Sequence, residues 1–238
     1  MATLYAGTSG YAYPAWKPGF YPEDVPATRF LQHYAGRLNC VEINYTFRHM
    51  PSEKTVRSWV AATSPGFVFA LKAHQSITHG NRLKEGAREP LEYFLGTLAP
   101  LRDAGRLGPV LLQLPPNLKL DLERLERLER FLGLLPRDVR FAFEFREPSW
   151  FREEVYALLR EHNAALCVAE SEGLVAPDVV TADFAYYRLR KPPYDELALA
   201  RLRRRSEELT GGGRDVYVLF KHEEDAGGAL EAERLLAA

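Results

Sequence analysis

The chain has 238 residues, 46% of them hydrophobic, enough for a sizeable core in one large domain or two small ones. Lys and Arg number 31 against 32 Asp and Glu, and the net charge of −1 excludes a global basic field for nucleic acid, though not a local patch. No charged leader precedes the first apolar run at Leu4 and no stretch reaches the ~20 apolar residues of a membrane span, so a soluble, cytoplasmic protein is expected.

Short apolar runs alternate with helical patterns. A strand TLYAGTS (3–9) comes first, then a helix RFLQHYAGRL (29–38) with Phe30, Leu31, Tyr34 and Leu38 at helical spacing. A strand CVEINYTF (40–47) leads to a helix SEKTVRSWVAAT (52–63) with Ser52 as its cap. The strand FVFALKAH (67–74) precedes a periodic helix over 89–105, and PVLLQLPP (109–116) precedes another over 122–135. The strand RFAFEFRE (140–147) is followed by Ser149, an N-cap candidate, and a helix over 151–163. AALCVAE (164–170) is a strand, and 171–183 is too broken for more than one short turn. FAYYRLRK (184–191), a helix over 197–209, DVYVLFKH (215–222) and a helix over 229–237 complete the chain. Cys40 and Cys167 lie inside apolar runs and read as buried thiols, too few for a disulfide scaffold. The run RLRRR (201–205) reads as a solvated helix face.

Alternating strands and helices imply parallel strands joined by crossovers. Eight strands in this length predict a single (β/α)8 TIM-type barrel over 1–238. A doubly wound open sheet is the alternative, but GTSGY at 7–11 is not GxGxxG and no GxxxxGK occurs.

Alternation along each strand then assigns faces. The outward face packs under helices and must be apolar, while the inward face can turn polar near the C-terminal mouth. Val41, Ile43 and Tyr45 face out, so Glu42, Asn44 and Thr46 face in. By the same rule Lys72, His74, Gln113, Glu144, Arg146 and Arg188 face in. On the last strand either Lys221 or His222 is the inward one. Polar groups removed from water cost a few kcal/mol each unless paired. Nine of them on five strands therefore predict a ligand or catalytic site; interior ion pairs such as Glu144–Arg188 are the structural alternative.

The residue types indicate what binds. Lys72, Arg146 and Arg188 are cationic, with His74 optionally so, and arginine forks suit carboxylate or phosphate. A small anionic substrate is the expectation. Glu42 and Glu144 can serve as general base and acid if burial separates their pKa values, and Lys72 is a minor candidate for a Schiff-base amine. Tyr11, Tyr13, Trp16 and Trp150 follow the first and fifth strands and either wall the mouth or plug it. No cofactor is assigned. A divalent metal would find ligands among Glu42, Glu144, His74, His79, His222 and Glu223, but no HExxH, paired CxxC or DxDxDG is present, and three cations at the mouth argue against a metal cluster.

Several motifs resemble a known family. GTSGY…W…FYP at 7–22, VEINYTF…MP at 41–51, FVFALKAHQSITH at 67–79, LLQLPPN at 111–117, EFREPSW at 144–150 and YYRLRK at 186–191 are similar, in order, to the YecE-like family, also called domain of unknown function 72. The resemblance implies a TIM-type barrel and leaves the reaction open. Positions it marks include Gly7, Ser9, Glu42, Asn44, Thr46, Phe47, Lys72, His79, Gln113, Pro115, Glu144, Arg146, Trp150 and Arg188. The chain departs from the family pattern at Tyr11 (usually Trp), at Arg48-His49 (usually Tyr-Arg), at Lys221-His222 (usually Asn-Asn) and at Arg190-Lys191 (usually His-Gly). These departures add positive charge. The expected function is an enzyme, a hydrolase or isomerase, using Glu144 and Glu42 on a substrate held by Arg146, Arg188 and Lys72. A metal-dependent phosphoesterase acting on nucleic acid and a non-catalytic anion-binding barrel are the alternatives.

Overall fold

The computed structural model describes residues 1–171, 173–190, 194–221 and 224–237. Among the described residues there are nine strands and eight α-helices, in the order β1 Leu4–Ser9, α1 Phe30–Ala35, β2 Cys40–Ile43, α2 Glu53–Ala61, β3 Val68–Lys72, α3 Arg88–Thr97, α4 Ala99–Asp103 and β4 Leu107–Gln113. Then come α5 Leu122–Leu132, β5 Phe141–Glu144, α6 Glu153–Glu161, β6 Ala165–Ser171, β7 Leu174–Val175, β8 Phe184–Leu189, α7 Glu196–Gly211, β9 Asp215–Phe220 and α8 Gly227–Leu236. The sheet runs β5-β4-β3-β2-β1-β9-β8-β6, and a β5–β6 pairing closes it into an eight-stranded parallel barrel.

The face assignment holds on the strands. Val41, Ile43, Phe69, Leu71, Val110, Leu112, Phe141, Phe143, Tyr187 and Leu189 pack with helix residues in the outer core. Burying a ring such as Phe143 contributes about 1.5–3 kcal/mol. Cys40, Val68, Ala70, Leu111, Ala142, Cys167, Phe184, Tyr186, Tyr217 and Leu219 fill the barrel interior. Both cysteines are free and buried, and burial pushes their thiols up. On β9 the inward parity of Tyr217 and Leu219 continues to Lys221; His222 and Glu223 lie outside the described residues.

Helix starts follow local chemistry. Ser52, Asp121 and Asp195 cap α2, α5 and α7, accepting from Thr55, Arg124 and Ala198 N–H at 3.2, 2.9 and 2.7 Å. The helix expected over 89–105 is two, because Pro100 has no N–H and its ring crowds the preceding turn. Ser149 does not cap α6: Arg152 holds that position, and Ser149 sits in the 3-10 turn Pro148–Trp150, where its Oγ accepts from Leu120 N–H at 2.7 Å. The region after β6 holds the short antiparallel strand β7 in place of a helical turn. Thr181 ties the return loop to β6, its hydroxyl accepting from Leu166 N–H at 2.8 Å and donating to Ala164 O at 2.7 Å.

Several strands end earlier than alternation suggests; β3 stops at Lys72, short of His74. β2 stops at Ile43, because Asn44 turns into the right-handed region (φ −84°, ψ −25°) and Tyr45–Phe47 form a 3-10 turn. β5 stops at Glu144. Thr46 and Arg146 therefore do not belong to the strand pattern that placed them inward.

At the β1–β2 seam the Tyr34 hydroxyl from α1 enters the ladder. It accepts from Thr8 N–H at 2.8 Å and donates to Cys40 O at 2.9 Å. Gly7 faces this seam, where a Cβ would lie 1.8 Å from Cys40 O.

Candidate active site at the barrel mouth

The carboxyl ends of the strands bring six of the expected residues into one network: Glu42, Asn44, Lys72, Gln113, Glu144 and Arg188. Arg188, on β8, is 1% exposed, between Glu42 at 0% and Glu144 at 2%. Its Nε and Nη2 donate to Glu42 Oε1 at 3.1 and 2.6 Å, and its Nη1 donates to Glu144 Oε2 at 2.5 Å. Nη2 also reaches Asn44 Oδ1 at 3.4 Å. Ser9 Oγ and Tyr186 Oη complete Glu42, at 2.6 and 2.7 Å. Gln113 Nε2 donates to Glu144 Oε1 at 2.8 Å, and Arg190 Nη2 approaches the same oxygen at 3.3 Å.

Burial works to raise both carboxyls, but the opposing Arg188 charge and the converging hydrogen bonds override it, so both lie below the ordinary glutamate value. That corrects two expectations. Glu42 and Glu144 are not split into a high-pKa acid and a low-pKa base; both are ionised and saturated with donors. Nor is Arg188 an open anion receptor, since each of its three nitrogens already serves a carboxylate.

Lys72, the last residue of β3, sits on the solvent side of this triad and is half-buried. Its Nζ donates to Gln113 Oε1 at 2.7 Å and lies 4.0 Å from the Phe47 ring centroid. Desolvation, then the Arg188 charge, lower its pKa to about 8 against the pull of Glu42 and Glu144. The His79 ring packs edge-on against the same Phe47, centroids 4.9 Å apart, and Nδ1 meets the Thr78 hydroxyl at 2.9 Å. Burial, with Lys72, Arg146, Arg82 and Arg48 around it, lowers the His79 pKa, so its imidazole is neutral at pH 7.

The remaining expected residues lie elsewhere. Thr46 is fully buried and donates to Ile43 O and Lys72 O at 2.9 and 2.6 Å, pinning the turn after β2. Arg146 is exposed, reaching the site through its field at His79. His74 Nδ1 is engaged locally, with Ser76 Oγ at 2.8 Å. Trp16 and Trp150 are plugs, not mouth walls. Trp16 is buried among Tyr13, Phe20 and Tyr21; Trp150 stacks on Phe145 at 4.8 Å, its Nε1 donating to Leu118 O at 2.6 Å. Tyr11 lines a cleft of about 380 Å³ at the rim, with Tyr13, Asn44, Tyr45 and Trp59. Lys221 N–H pairs with Leu189 O at 2.8 Å just past β9. Lys191 lies outside the described residues. Among the described residues no three His, Cys, Asp or Glu side chains cluster as metal ligands, and the oxygens of Glu42 and Glu144 are taken by donors.

The face assignment left out three members, of which the family resemblance marks Ser9. Ser9, Tyr186 and Arg190 share the inward parity of their strands, so extending the alternation by one step would have found each. Arg190 Nε is buried without a hydrogen-bond partner among the described residues.

Comparison with known proteins agrees with this fold. The family described as "protein of unknown function DUF72" matches residues 5–238. The chain belongs to that family. A DUF72 family protein from Thermotoga maritima MSB8 is 30% identical, with a TM-score of 0.86 over 99% of this chain and 98% of that one. A DUF72 protein from Enterococcus faecalis V583 is 19% identical over 100% of this chain and 99% of that one, at TM-score 0.79, and shares the fold. So does D-psicose 3-epimerase from Clostridium cellulolyticum H10, at 9% identity and TM-score 0.61, over 98% of this chain and 97% of that one. UPF0759 protein YecE of Escherichia coli K12 is 30% identical over 149 residues, 62% of this chain and 50% of that protein. UPF0759 protein YunF of Bacillus subtilis 168 is 28% identical over 156 residues, 64% of this chain and 54% of that protein. The chain spans about half the length of these curated relatives. No described helix of this DUF72 chain is long and apolar enough to cross a membrane.

Proposed function

We propose that this DUF72 barrel is an enzyme that performs acid/base chemistry on a small anionic substrate at its C-terminal mouth, with Lys72 as the reacting amine. The observation that carries this reading is the setting of Lys72. An amine of pKa about 8 is roughly one-tenth neutral at pH 7, which suits it to accept and return a proton. The neutral His79 imidazole, packed on the same Phe47 ring, supports it as a second proton-transfer group. The buried Glu42–Arg188–Glu144 triad serves as scaffold: Glu144 orients the Gln113 amide, and Gln113 holds Lys72. Lys72, Arg190 and the arginines around His79 support an anionic substrate.

The test is a thermal-stabilisation screen of phosphorylated and carboxylated metabolites against the wild-type chain and Lys72→Met. Anions of one class are expected to raise Tm in the wild type and less in the variant. Stabilising compounds are then assayed for isomerisation and hydrolysis, and Lys72→Met should abolish turnover. If no anion stabilised the protein, or the variant turned over normally, the reading would be wrong.

A further inference from the structure

A partly neutral amine is a nucleophile as well as a proton acceptor. We propose that Lys72 acts covalently, condensing with the carbonyl of a small aldehyde or ketone that carries a carboxylate or phosphate, to form a Schiff base in the barrel mouth. This inference rests on the proposed anionic substrate and names its second functional group.

The geometry isolates Lys72 from the charges that would keep it an ammonium ion. Two carboxylates lie beneath it, but Arg188 takes oxygens of both, and Arg190 approaches Glu144. Among the described residues Lys72 makes no ion pair; the acceptor at its Nζ is a neutral amide. Glu144 enforces that choice. It accepts from the Gln113 NH2, so the amide can turn only its oxygen toward Lys72. The Phe47 ring covers another side of the amine at 4.0 Å. Arg188, Arg190 and His79 are the cationic or titratable groups nearby, and fixed cations beside a desolvated lysine favour its neutral, nucleophilic form. Among the other described lysines, Lys54, Lys84 and Lys119 are exposed, Lys17 donates to Glu23 O at 2.7 Å, and Lys221 is half-buried just past β9.

The step balances without an oxidant or reductant. The Lys72 nitrogen bonds to the carbonyl carbon, and the C–O bond breaks after proton transfer to its oxygen. From the ammonium form the products are one protonated imine and one water, with charge conserved. His79 is placed to carry a proton from the nitrogen to the departing oxygen. Arg190, half-buried and with its charge felt at Lys72, is the cation assigned to the anionic group of the substrate.

The experiment traps the imine. Full-length protein is incubated at pH 7 with glyoxylate, glycolaldehyde phosphate or neutral glycolaldehyde, each with sodium cyanoborohydride, and labelled lysines are mapped by peptide mass spectrometry. The anionic carbonyls should label Lys72 at least about tenfold faster than the exposed Lys54 or Lys119, because desolvation and the neighbouring arginines lower the Lys72 pKa to about 8. Neutral glycolaldehyde should discriminate less, and inorganic phosphate should protect Lys72. Preference for glyoxylate or for the phosphate ester identifies the anionic group. Gln113→Glu puts a carboxylate beside the amine, so labelling should slow about tenfold at pH 7 and recover at pH 9. Labelling of Lys72 no faster than of the exposed lysines overturns the covalent proposal. Thermal stabilisation by phosphate, which carries no carbonyl, separates the two readings: stabilisation without labelling sinks the imine alone, and loss of both sinks the anion site as well.

Discussion

Replacing Arg188 by Met tests whether the buried triad is held by charge balance. Arg188 gives three charge-assisted hydrogen bonds to Glu42 and Glu144, all three residues being at most 2% exposed. Methionine leaves two carboxylates buried in the barrel. Glu42 keeps Ser9 and Tyr186, and Glu144 keeps Gln113 and the more distant Arg190, so neither loses every donor. Removing one partner of a buried pair costs about 3–5 kcal/mol, and that range is expected at pH 7. The two glutamates of the variant would have raised pKa values. Their unfolded counterparts ionise first, so the variant's deficit grows as pH rises above about 4.3 and is smaller at pH 5 than at pH 8. The triple variant Glu42→Gln, Arg188→Met, Glu144→Gln removes every triad charge and should recover to within about 2 kcal/mol of wild type. Urea unfolding at pH 5 and pH 8, with unchanged m-values, measures this. A single variant within about 1 kcal/mol of wild type at pH 8, or a triple variant no better than the single one, would refute the charge-balance argument.

Further outcomes follow from the same structure. In the wild type both glutamates have lowered folded pKa values, so their stabilisation is full above the unfolded value and is lost as pH falls below about 4.3; urea midpoints between pH 7 and pH 3 should drop less in the triple variant. Lys72→Met should leave the protein as stable or more so at pH 7. The fall from 10.5 to about 8 is worth at most about 3.4 kcal/mol, of which about 1–2 should survive screening and the lost Gln113 bond, and the gain should shrink as pH rises toward 10.5. Tyr34→Phe orphans Thr8 N–H and Cys40 O at the β1–β2 seam and should cost about 2–4 kcal/mol by thermal unfolding; a Tm unchanged within error would contradict the wedge. Elemental analysis of undialysed protein tests the metal-dependent alternative: one equivalent of manganese, zinc or iron would replace the Lys72 reading with a metal-centred one.

Much of this was legible in the sequence. Apolar residues every second position named the outer faces of the strands. The parity of Phe141, Phe143 and Phe145 put Glu144 inside, and that of Tyr187 and Leu189 put Arg188 there. Parity failed where a strand stopped. Asn44 turns out of β2, and Thr46 becomes a peg for backbone carbonyls. Arg146, two residues beyond the end of β5, points to solvent. The tryptophans of the βα loops were ambiguous because an aromatic ring suits a mouth wall and a buried plug equally, and packing neighbours decide between them.

The sequence by itself determined that there are eight barrel strands and, within the strands, which side chains enter the barrel, because strand periodicity is a local property of the chain. Only the tertiary structure decided which of those charges are spent. Glu42 and Arg188 are 146 positions apart and meet at 2.6 Å; Lys72 and Gln113 are 41 apart and meet at 2.7 Å. Electrostatic interaction falls with distance and strengthens as water is excluded, so the same residue types read as acid, base and anion receptor before folding. Once closure of the barrel sets their spacing, they become a saturated triad supporting one reactive lysine.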